Sequence, residues 1–304
     1  MPIRRVARAL RGRPDGRQPA APRLDSWLLH YHGDRLRAID EACADGAPEH
    51  FGLFRELDPD VWALLLTLEY DAFPNIRALL PDLPADWIQA GWNGTSGLAL
   101  AAQGAAFYRR LLDRCADYGA TPLADARVLD FGCGWGRLTR LLARDVAPGN
   151  LYGCDPVEDI LAACRATRVP ATLARSEFLP ERLPFDERFD LAFAFSVFTH
   201  LSERAHDRCL SALHAGLEPG GLLVVTVRPP AYMHRPPDEA GYVFEPHPAN
   251  PEHPQWAGDE LHYGETVVPL PYVRERWSDR FELLAADLLI GDLHQVMLTL
   301  RRSG

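Results

Sequence analysis

From Asp25 to about Tyr118, apolar residues recur at three- and four-residue steps, the spacing that places them on one face of a helix. The stretch DPDVWALLLTLEYDAFPNIRALL shows this pattern, and Pro74 is predicted to break it. A loop at GWNGTSG follows, and the next predicted helix takes Thr95 or Ser96 as its N-cap. The pattern therefore predicts a helical N-terminal element, or lid, over residues 25–118.

After Asp125, short apolar runs alternate with helical patterns, which is typical of a doubly wound α/β sheet. A helix is predicted after the first run, through Asp145, and Ser202 is predicted to cap a later helix. We predict one α/β domain over residues 119–304. Its strands are predicted at ARVLDF, NLYGCD, ATLAR, RFDLAFAFS, LLVVTV, within WSDRFELLAADLL and at HQVMLTLRR.

One segment, residues 228–271, departs from this alternation. It carries ten prolines, four histidines and the aromatic residues Tyr232, Tyr242, Phe244, Trp256 and Tyr263. An irregular segment of this length is unusual in a compact domain unless it serves a site. We therefore predict an ordered cap over a pocket, and the alternative is a flexible insertion that the fold tolerates.

Charge and composition narrow the functional class. The 304 residues carry a formal net charge of −10, although the first 23 residues hold seven arginines against Asp15 alone. The remaining body is strongly acidic, which argues against nucleic-acid binding. All 32 basic residues are arginine, so a lysine Schiff-base mechanism is excluded.

The basic residues 1–24 are rich in Pro, Gly and Ala, and we expect a disordered tail; a role in binding a partner or a membrane surface is the alternative. No apolar run is long enough to span a membrane, and the tail lacks the apolar core of a secretory signal. The six cysteines form no CxxC pair. These features favour a soluble, cytoplasmic protein.

The strongest chemical signal is the stretch VLDFGCGWGRLTRLL, where a predicted strand leads into Gly132, Gly134 and Gly136. Glycine allows positive φ and close approach of the backbone to a ligand, so a nucleotide pocket is expected at this edge of the sheet. The spacing differs from the dinucleotide pattern G-x-G-x-x-G, because Arg137 stands where the third glycine would fall. Asp130 ahead of the glycines would repel a pyrophosphate but suits a ligand with an ammonium group.

These motifs resemble those of the class I S-adenosylmethionine-dependent methyltransferases, from about Gly91 to the C-terminus. VLDFGCGWGRLTRLL is similar to the first motif of that family, LYGCD to its second strand, and GLEPGGLLVVTV to its fifth. SVFTHLSE and the ending YVRERWSDRFELL followed by HQ resemble a bacterial branch that acts on small molecules. The resemblance implies a Rossmann-like, doubly wound sheet of seven strands, the last antiparallel, that uses S-adenosylmethionine and releases S-adenosylhomocysteine.

The resemblance also implies roles for individual residues. The three glycines would lie under the methionine part of the cofactor and Asp130 near its ammonium group, while Asp155 would bind the ribose hydroxyls. An alternative for Asp155 is a stabilising charge at a helix N-terminus. The remaining predicted cofactor contacts are Glu177 and Phe178 (or Leu179) near the adenine, and Ser196 and Val197 at the end of the fourth strand. The alternative for Phe178 and Leu179 is a place in the hydrophobic core.

A hydroxyl or ammonium acceptor must lose a proton when it is methylated. A histidine side chain can accept that proton near neutral pH. The candidates for this step are His200, His262, Tyr263 and His294, and each has a structural role as its alternative. The histidines of the 228–271 segment are irregularly spaced, so no metal site is predicted.

We therefore predict an enzyme that methylates an oxygen or nitrogen of a small molecule, such as a secondary metabolite or a sugar-like acceptor. The alternatives are a peptide or protein methyltransferase, a non-catalytic S-adenosylmethionine-binding scaffold, and a nicotinamide-dependent oxidoreductase. The predicted partners are the small acceptor and a second copy of the chain in a homodimer, with no nucleic acid and no membrane span.

Overall fold

The computed structural model describes residues 25–234, 241–247, 256–257 and 260–304. The predicted basic tail at 1–24 and part of the predicted cap lie outside these residues. None of the helices in the described part is long and apolar enough to cross a membrane.

Among the described residues, seven strands form the central sheet and four short ones form two antiparallel pairs. The strands of the described residues are β1 (Val128–Phe131), β2 (Leu151–Asp155), β3 (Thr172–Arg175), β4 (Phe189–Ala194), β5 (Leu217–Val227), β6 (Val243–Pro246), β7 (Trp256–Ala257), β8 (Glu260–Leu261), β9 (Gly264–Val267), β10 (Phe281–Leu289) and β11 (Asp292–Arg302).

The central sheet has the order β10-β11-β5-β4-β1-β2-β3. Strands β1 to β5 pair in parallel, whereas β11 is antiparallel to both β5 and β10. The prediction of a seven-stranded, doubly wound sheet with an antiparallel last strand is therefore confirmed. The strand order reverses between β1 and β4, and such a switch point opens a crevice at the carboxyl ends of the strands.

The helical N-terminal element is present and packs on one face of the sheet. The helices of the described residues are α1 (Asp25–Ala42), α2 (Pro59–Leu65), α3 (Pro74–Leu79), α4 (Asp86–Asn93), α5 (Gly97–Tyr118), α6 (Thr139–Leu142), α7 (Glu158–Ala166), α8 (Glu203–Gly216) and α9 (Leu270–Arg276). Pro74 begins α3 where we predicted a break, because proline fits the first turn of a helix, where its missing N–H has no intrahelical partner.

Side chains that alternate along the strands build two hydrophobic clusters on opposite faces of the sheet. Phe193 and Val224 pack with the N-terminal helices, while Ala194 and Val225 pack with α8. The buried Trp62 joins the first cluster, and its Nε1 donates a hydrogen bond of 2.8 Å to the carbonyl oxygen of Leu141. The N-terminal element and the sheet thus share one hydrophobic core.

The helix predicted from the glycine loop through Asp145 is wrong in its length, because α6 covers only Thr139–Leu142. Hydrogen bonds between residues three apart form tighter turns at both ends of α6. The Leu141 amide donates to the carbonyl oxygen of Leu138, and the Asp145 amide donates to that of Leu142. Ser202 caps α8 as predicted, since its hydroxyl accepts a hydrogen bond from the Ala205 amide at 3.2 Å.

The described part of the 228–271 segment is tied to the sheet edge. β6 pairs with β9, and β9 lies along the chain that follows β4. The Gly264 amide donates to the His200 carbonyl oxygen at 2.9 Å, and the Thr266 amide donates to that of Thr199 at 3.0 Å. This backbone pairing fixes β9 beside the carboxyl end of β4.

Candidate active site

A cavity of about 360 Å³ lies at the carboxyl ends of β1 and β4, where the topology predicts a crevice. The glycine loop and the end of β2 form one wall, and the segment after β4, the end of β5 and the cap form another. The N-terminal element closes a further side with Trp92 and Asn93, which follow one another at the end of α4.

The three glycines of the loop all have positive φ, but they do different things. Gly132 and Gly134 line the cavity, with φ of 75° and 53°. A Cβ atom on Gly132 would lie 2.4 Å from Cγ2 of Val197, so no side chain fits there. Gly136 does not line the cavity: a Cβ atom there would lie 2.8 Å from Cγ2 of Val169. Close packing against Val169 accounts for this glycine, and its predicted place under the cofactor stays a prediction.

Asp155 ends β2, lines the cavity and is buried. One carboxylate oxygen accepts a hydrogen bond from the Gly134 amide at 3.0 Å, and the other accepts from the Val157 amide at 2.9 Å. Burial raises the pKa of Asp155 to about 6, and the two amide hydrogen bonds oppose this shift. Asp155 thus braces the glycine loop and also faces the ligand space.

Asp130, at the end of β1, is buried below the loop and also lines the cavity. Its carboxylate accepts a hydrogen bond of 2.6 Å from the Thr139 hydroxyl. Burial raises the pKa of Asp130 to about 7, against the opposing effects of Thr139 and Arg137. A cationic ligand group beside Asp130 would restore its ionised form.

Of the residues predicted near the adenine and at the end of β4, Phe178, Ser196 and Val197 line the cavity. Glu177 does not line it and is exposed, because the chain turns its side chain to solvent after β3. Ser196 has a φ of 59°, and its amide donates to the Thr226 hydroxyl at 2.7 Å. Positive φ in a residue other than glycine is strained and is common at functional sites.

Two of the predicted catalytic candidates, His200 and Tyr263, line the cavity together. Their rings stack with centroids 5.0 Å apart and an interplanar angle of 4°. Nδ1 of His200 donates to the carbonyl oxygen of Gly264 at 2.8 Å, since a carbonyl oxygen can only accept. The neutral ring therefore carries its lone pair on Nε2.

The other two candidates, His262 and His294, do not line the cavity, and their predicted place at the acceptor stays a prediction. His262 is buried behind Tyr263, with Nδ1 at 2.7 Å from the Ser202 hydroxyl, and burial lowers its pKa. His294 is exposed and its ring contacts Tyr232, 5.6 Å away between centroids. Gln295 lines the cavity instead, because neighbouring residues of β11 face opposite sides of the sheet.

The motifs gave no role to two buried arginines that line the cavity. Arg137 directly follows the glycine loop, and its Nη1 donates to Gln103 at 3.0 Å. Its guanidinium carbon lies 4.9 Å from the centroid of the Phe195 ring, and burial lowers the pKa of Arg137 to about 10. Arg228 follows β5 directly, at the carboxyl edge of the sheet. An arginine at each such position was a signal available in the sequence.

A chain of polar side chains runs from the helical element to the end of β4. Gln103 on α5 donates to Asp292 at 2.9 Å, and Gln295 donates to the same carboxylate at 2.8 Å. The Thr226 hydroxyl donates to Gln295 at 2.5 Å and accepts from the Ser196 amide. Among the described residues, no group of three or more histidine, cysteine or acidic residues is placed to hold a metal ion.

The glycine loop lies at the switch point of the sheet, where the resemblance to class I methyltransferases places the cofactor site. Residues 128–221 match the family described as methyltransferase domain. This match supports the methyltransferase resemblance that the motifs indicated, over less than half of the chain.

The matching relatives are trans-aconitate 2-methyltransferases. The chain is 33% identical to that of Variovorax paradoxus over 105 residues, and 36% identical to that of Rhizobium rhizogenes over 99 residues. The first match covers 34% of this chain and 39% of the relative, and the second covers 33% and 37%. The matched stretch thus spans less than half the length of either relative.

Among solved structures, the magnesium protoporphyrin IX methyltransferase of Synechocystis with bound S-adenosylmethionine is 15% identical, with a TM-score of 0.48. That match covers 82% of this chain and 99% of the other. Similarity at this level says nothing about the acceptor of this chain.

Proposed function

We propose that this protein transfers the methyl group of S-adenosylmethionine to a small molecule bound in the cavity. The observation that carries the proposal is the meeting of Asp130, Gly134, Asp155 and Arg137 in one cavity at the switch point of the sheet. Two carboxylates, a guanidinium and a glycine backbone that a ligand can approach closely suit a ligand that has an ammonium group, a carboxylate and a ribose.

The lining residues fit the parts of this cofactor. Asp130 would accept hydrogen bonds from the ammonium group, and Arg137 would pair with the carboxylate. Asp155 would accept hydrogen bonds from the ribose hydroxyls, while Phe178 and Val197 would pack on the adenine. When bound, the cofactor supplies a methyl group activated on a sulfonium.

The enclosure of the cavity favours a small acceptor over a peptide or protein. Trp92 and Asn93 come from the N-terminal element, Tyr263 comes from the cap, and the strand ends of the sheet supply the remaining wall, so three parts of the chain surround the same space. Side chains that hold the acceptor in line with the methyl group and exclude water can supply about 7–11 kcal/mol of the barrier reduction. A cytoplasmic location, a homodimer and the domain boundaries at 119 and 228 stay predictions.

The function is tested by incubating the full chain with S-adenosylmethionine labelled on its methyl group and a panel of small acceptors. The panel contains carboxylic acids, including trans-aconitate, phenols, amines and sugars, and mass spectrometry detects the labelled product. We expect the label in one chemical class of acceptor. Binding of the cofactor with no transfer to any acceptor, and with activity only when a partner chain is added, would favour the scaffold alternative.

A further inference from the structure

Arg228 occupies a position that the cofactor-binding residues leave to the acceptor. It is buried at the carboxyl end of β5 and lines the cavity together with His200 and Tyr263. The aspartates and the glycine loop belong to β1 and β2, on the other side of β4 from β5. Arg228 therefore approaches the cavity from the side opposite the ribose and the loop.

The guanidinium of Arg228 is held on three sides. Nη1 donates to the carbonyl oxygen of Thr199 at 2.8 Å and also to the carboxylate of Glu265. Nη2 donates to Nε2 of His200 at 3.4 Å, and the guanidinium carbon lies 4.3 Å from the centroid of the Tyr232 ring. A buried arginine fixed in this way has already lost its side-chain freedom before any ligand binds.

Glu265 on β9 is the centre of this arrangement. Its carboxylate accepts from the Tyr232 hydroxyl at 2.8 Å and lies 3.0 Å from Nε2 of His247. Because Glu265 lies on β9 and Arg228 directly follows β5, their ion pair fixes β9 against the carboxyl end of β5.

His200 completes the support. Its Nδ1 donates to the Gly264 carbonyl oxygen, so its Nε2 is the acceptor for Arg228. In this geometry His200 is a positioning residue for Arg228, which differs from the proton acceptor predicted from the sequence.

A guanidinium has five N–H donors, and the three hydrogen bonds above use two on Nη1 and one on Nη2. Within the described parts of the chain, the Nε–H and the second Nη2–H of Arg228 take no hydrogen bond. These two donors belong to adjacent nitrogens, the arrangement with which arginine binds both oxygens of a carboxylate.

We propose that Arg228 anchors a carboxylate group of the methyl acceptor, and that Glu265 and His200 hold the guanidinium of Arg228 in place. This proposal rests on the proposed function, because the acceptor must bind beside the cofactor. Glu265 offsets part of the positive charge of Arg228, so a monoanion suits the site better than a dianionic phosphate, which the Glu265 carboxylate would repel more strongly.

The test uses formate as the smallest carboxylate and formamide as its neutral counterpart. Full-length protein with ¹⁵N-labelled histidine and bound S-adenosylhomocysteine is titrated with each compound, and the His200 ring signal is followed by NMR. The signal is assigned with His200→Gln, and sodium chloride at matched ionic strength is the control. We expect formate to shift the signal saturably, formamide to leave it unchanged, and inorganic phosphate to bind more weakly than formate.

Three variants test which residues are responsible for formate binding. Arg228→Gln should weaken formate binding by about tenfold or more, since it removes a charged, two-point contact. Glu265→Gln should narrow the preference for formate over phosphate. Glu245→Gln removes the same charge at the exposed neighbour of Glu265 across the β6–β9 ladder and should change neither affinity.

Equal responses to formate and formamide would overturn the proposal. This comparison uses the wild-type protein, so it does not depend on whether a variant folds. Formate binding that Arg228→Gln leaves unchanged would also overturn it. Calorimetry with S-adenosylhomocysteine, done first, separates this result from failure of the proposed function. If S-adenosylhomocysteine does not bind, the formate titration of the ligand-free protein still decides the role of Arg228.

Discussion

Asp130 shows how a single residue can link stability, pH and ligand binding. Burial raises its pKa to about 7, so the folded, ligand-free protein holds this proton more tightly than the unfolded chain does. Protonation therefore stabilises the ligand-free fold, and the contribution of Asp130 declines as pH rises from about 4 to about 7. A cationic ligand needs the opposite form, the carboxylate.

We predict that Asp130→Asn raises the stability of the ligand-free protein at about pH 8 by about 1–4 kcal/mol, because the buried charge is removed. The same variant should weaken S-adenosylhomocysteine binding and flatten its pH dependence, which in the wild type should strengthen between about pH 5 and about pH 7. Urea unfolding and calorimetry measure the two effects. A variant that is less stable at high pH yet keeps full affinity would contradict this account of Asp130.

At the scale of elements, the glycine loop is where the backbone itself is specialised. Gly132 combines a φ of 75° with a Cβ position 2.4 Å from Val197. Gly149, in the turn before β2, has a φ of 87° but nothing within 4 Å of its Cβ position. The two glycines share the same backbone restriction and differ in crowding.

We therefore predict that Gly149→Ala costs about 1–2 kcal/mol of stability, through backbone strain alone, and leaves the cofactor site intact. Gly132→Ala should cost more and should reduce S-adenosylhomocysteine affinity at least about tenfold, because the loop must move away from Val197. Thermal unfolding and calorimetry of the pair provide the comparison. Equal effects of the two substitutions would show that crowding at Gly132 has no consequence.

The sheet could be predicted from the sequence because its strands are short apolar runs separated by clear turns, and the glycine spacing located the cavity. The irregular parts could not be predicted in the same way. The length of α6 depends on tight turns between Leu138 and Asp145, and the distinction between Gln295 and His294 depends on the register of β11. The support of Arg228 joins β4, β5 and the cap, which are far apart in sequence, so no local pattern could reveal it.

At the scale of the whole molecule, the helical N-terminal element belongs to the same hydrophobic core as the sheet. Trp62 is fully buried against α6, and the buried Arg144 donates through Nη1 to the carbonyl oxygens of Phe54 and Leu57, at 3.1 Å and 2.6 Å. Without residues 25–118, this guanidinium would lose these two acceptors and a large apolar surface would lose its packing partners.

We predict that the full chain unfolds in urea in a single transition and that a chain of residues 119–304 does not fold alone. Trp62→Ala should lower the stability of the whole protein by about 3–5 kcal/mol, and tryptophan fluorescence and circular dichroism should report the same midpoint. Two separate transitions, or a folded 119–304 fragment, would show that the N-terminal element is an independent lid.

The central claim is that the cavity binds S-adenosylmethionine through the residues at the ends of β1 and β2. Titration calorimetry with S-adenosylhomocysteine tests this claim most directly, using wild type, Asp155→Ala and the exposed control Asp159→Ala. We predict that the wild type and Asp159→Ala bind one molecule per chain with equal affinity and that Asp155→Ala loses at least about tenfold, the loss of charged hydrogen bonds. Binding of NADH in place of S-adenosylhomocysteine, or an affinity of Asp155→Ala within about twofold of wild type, below the cost of one hydrogen bond, would contradict it.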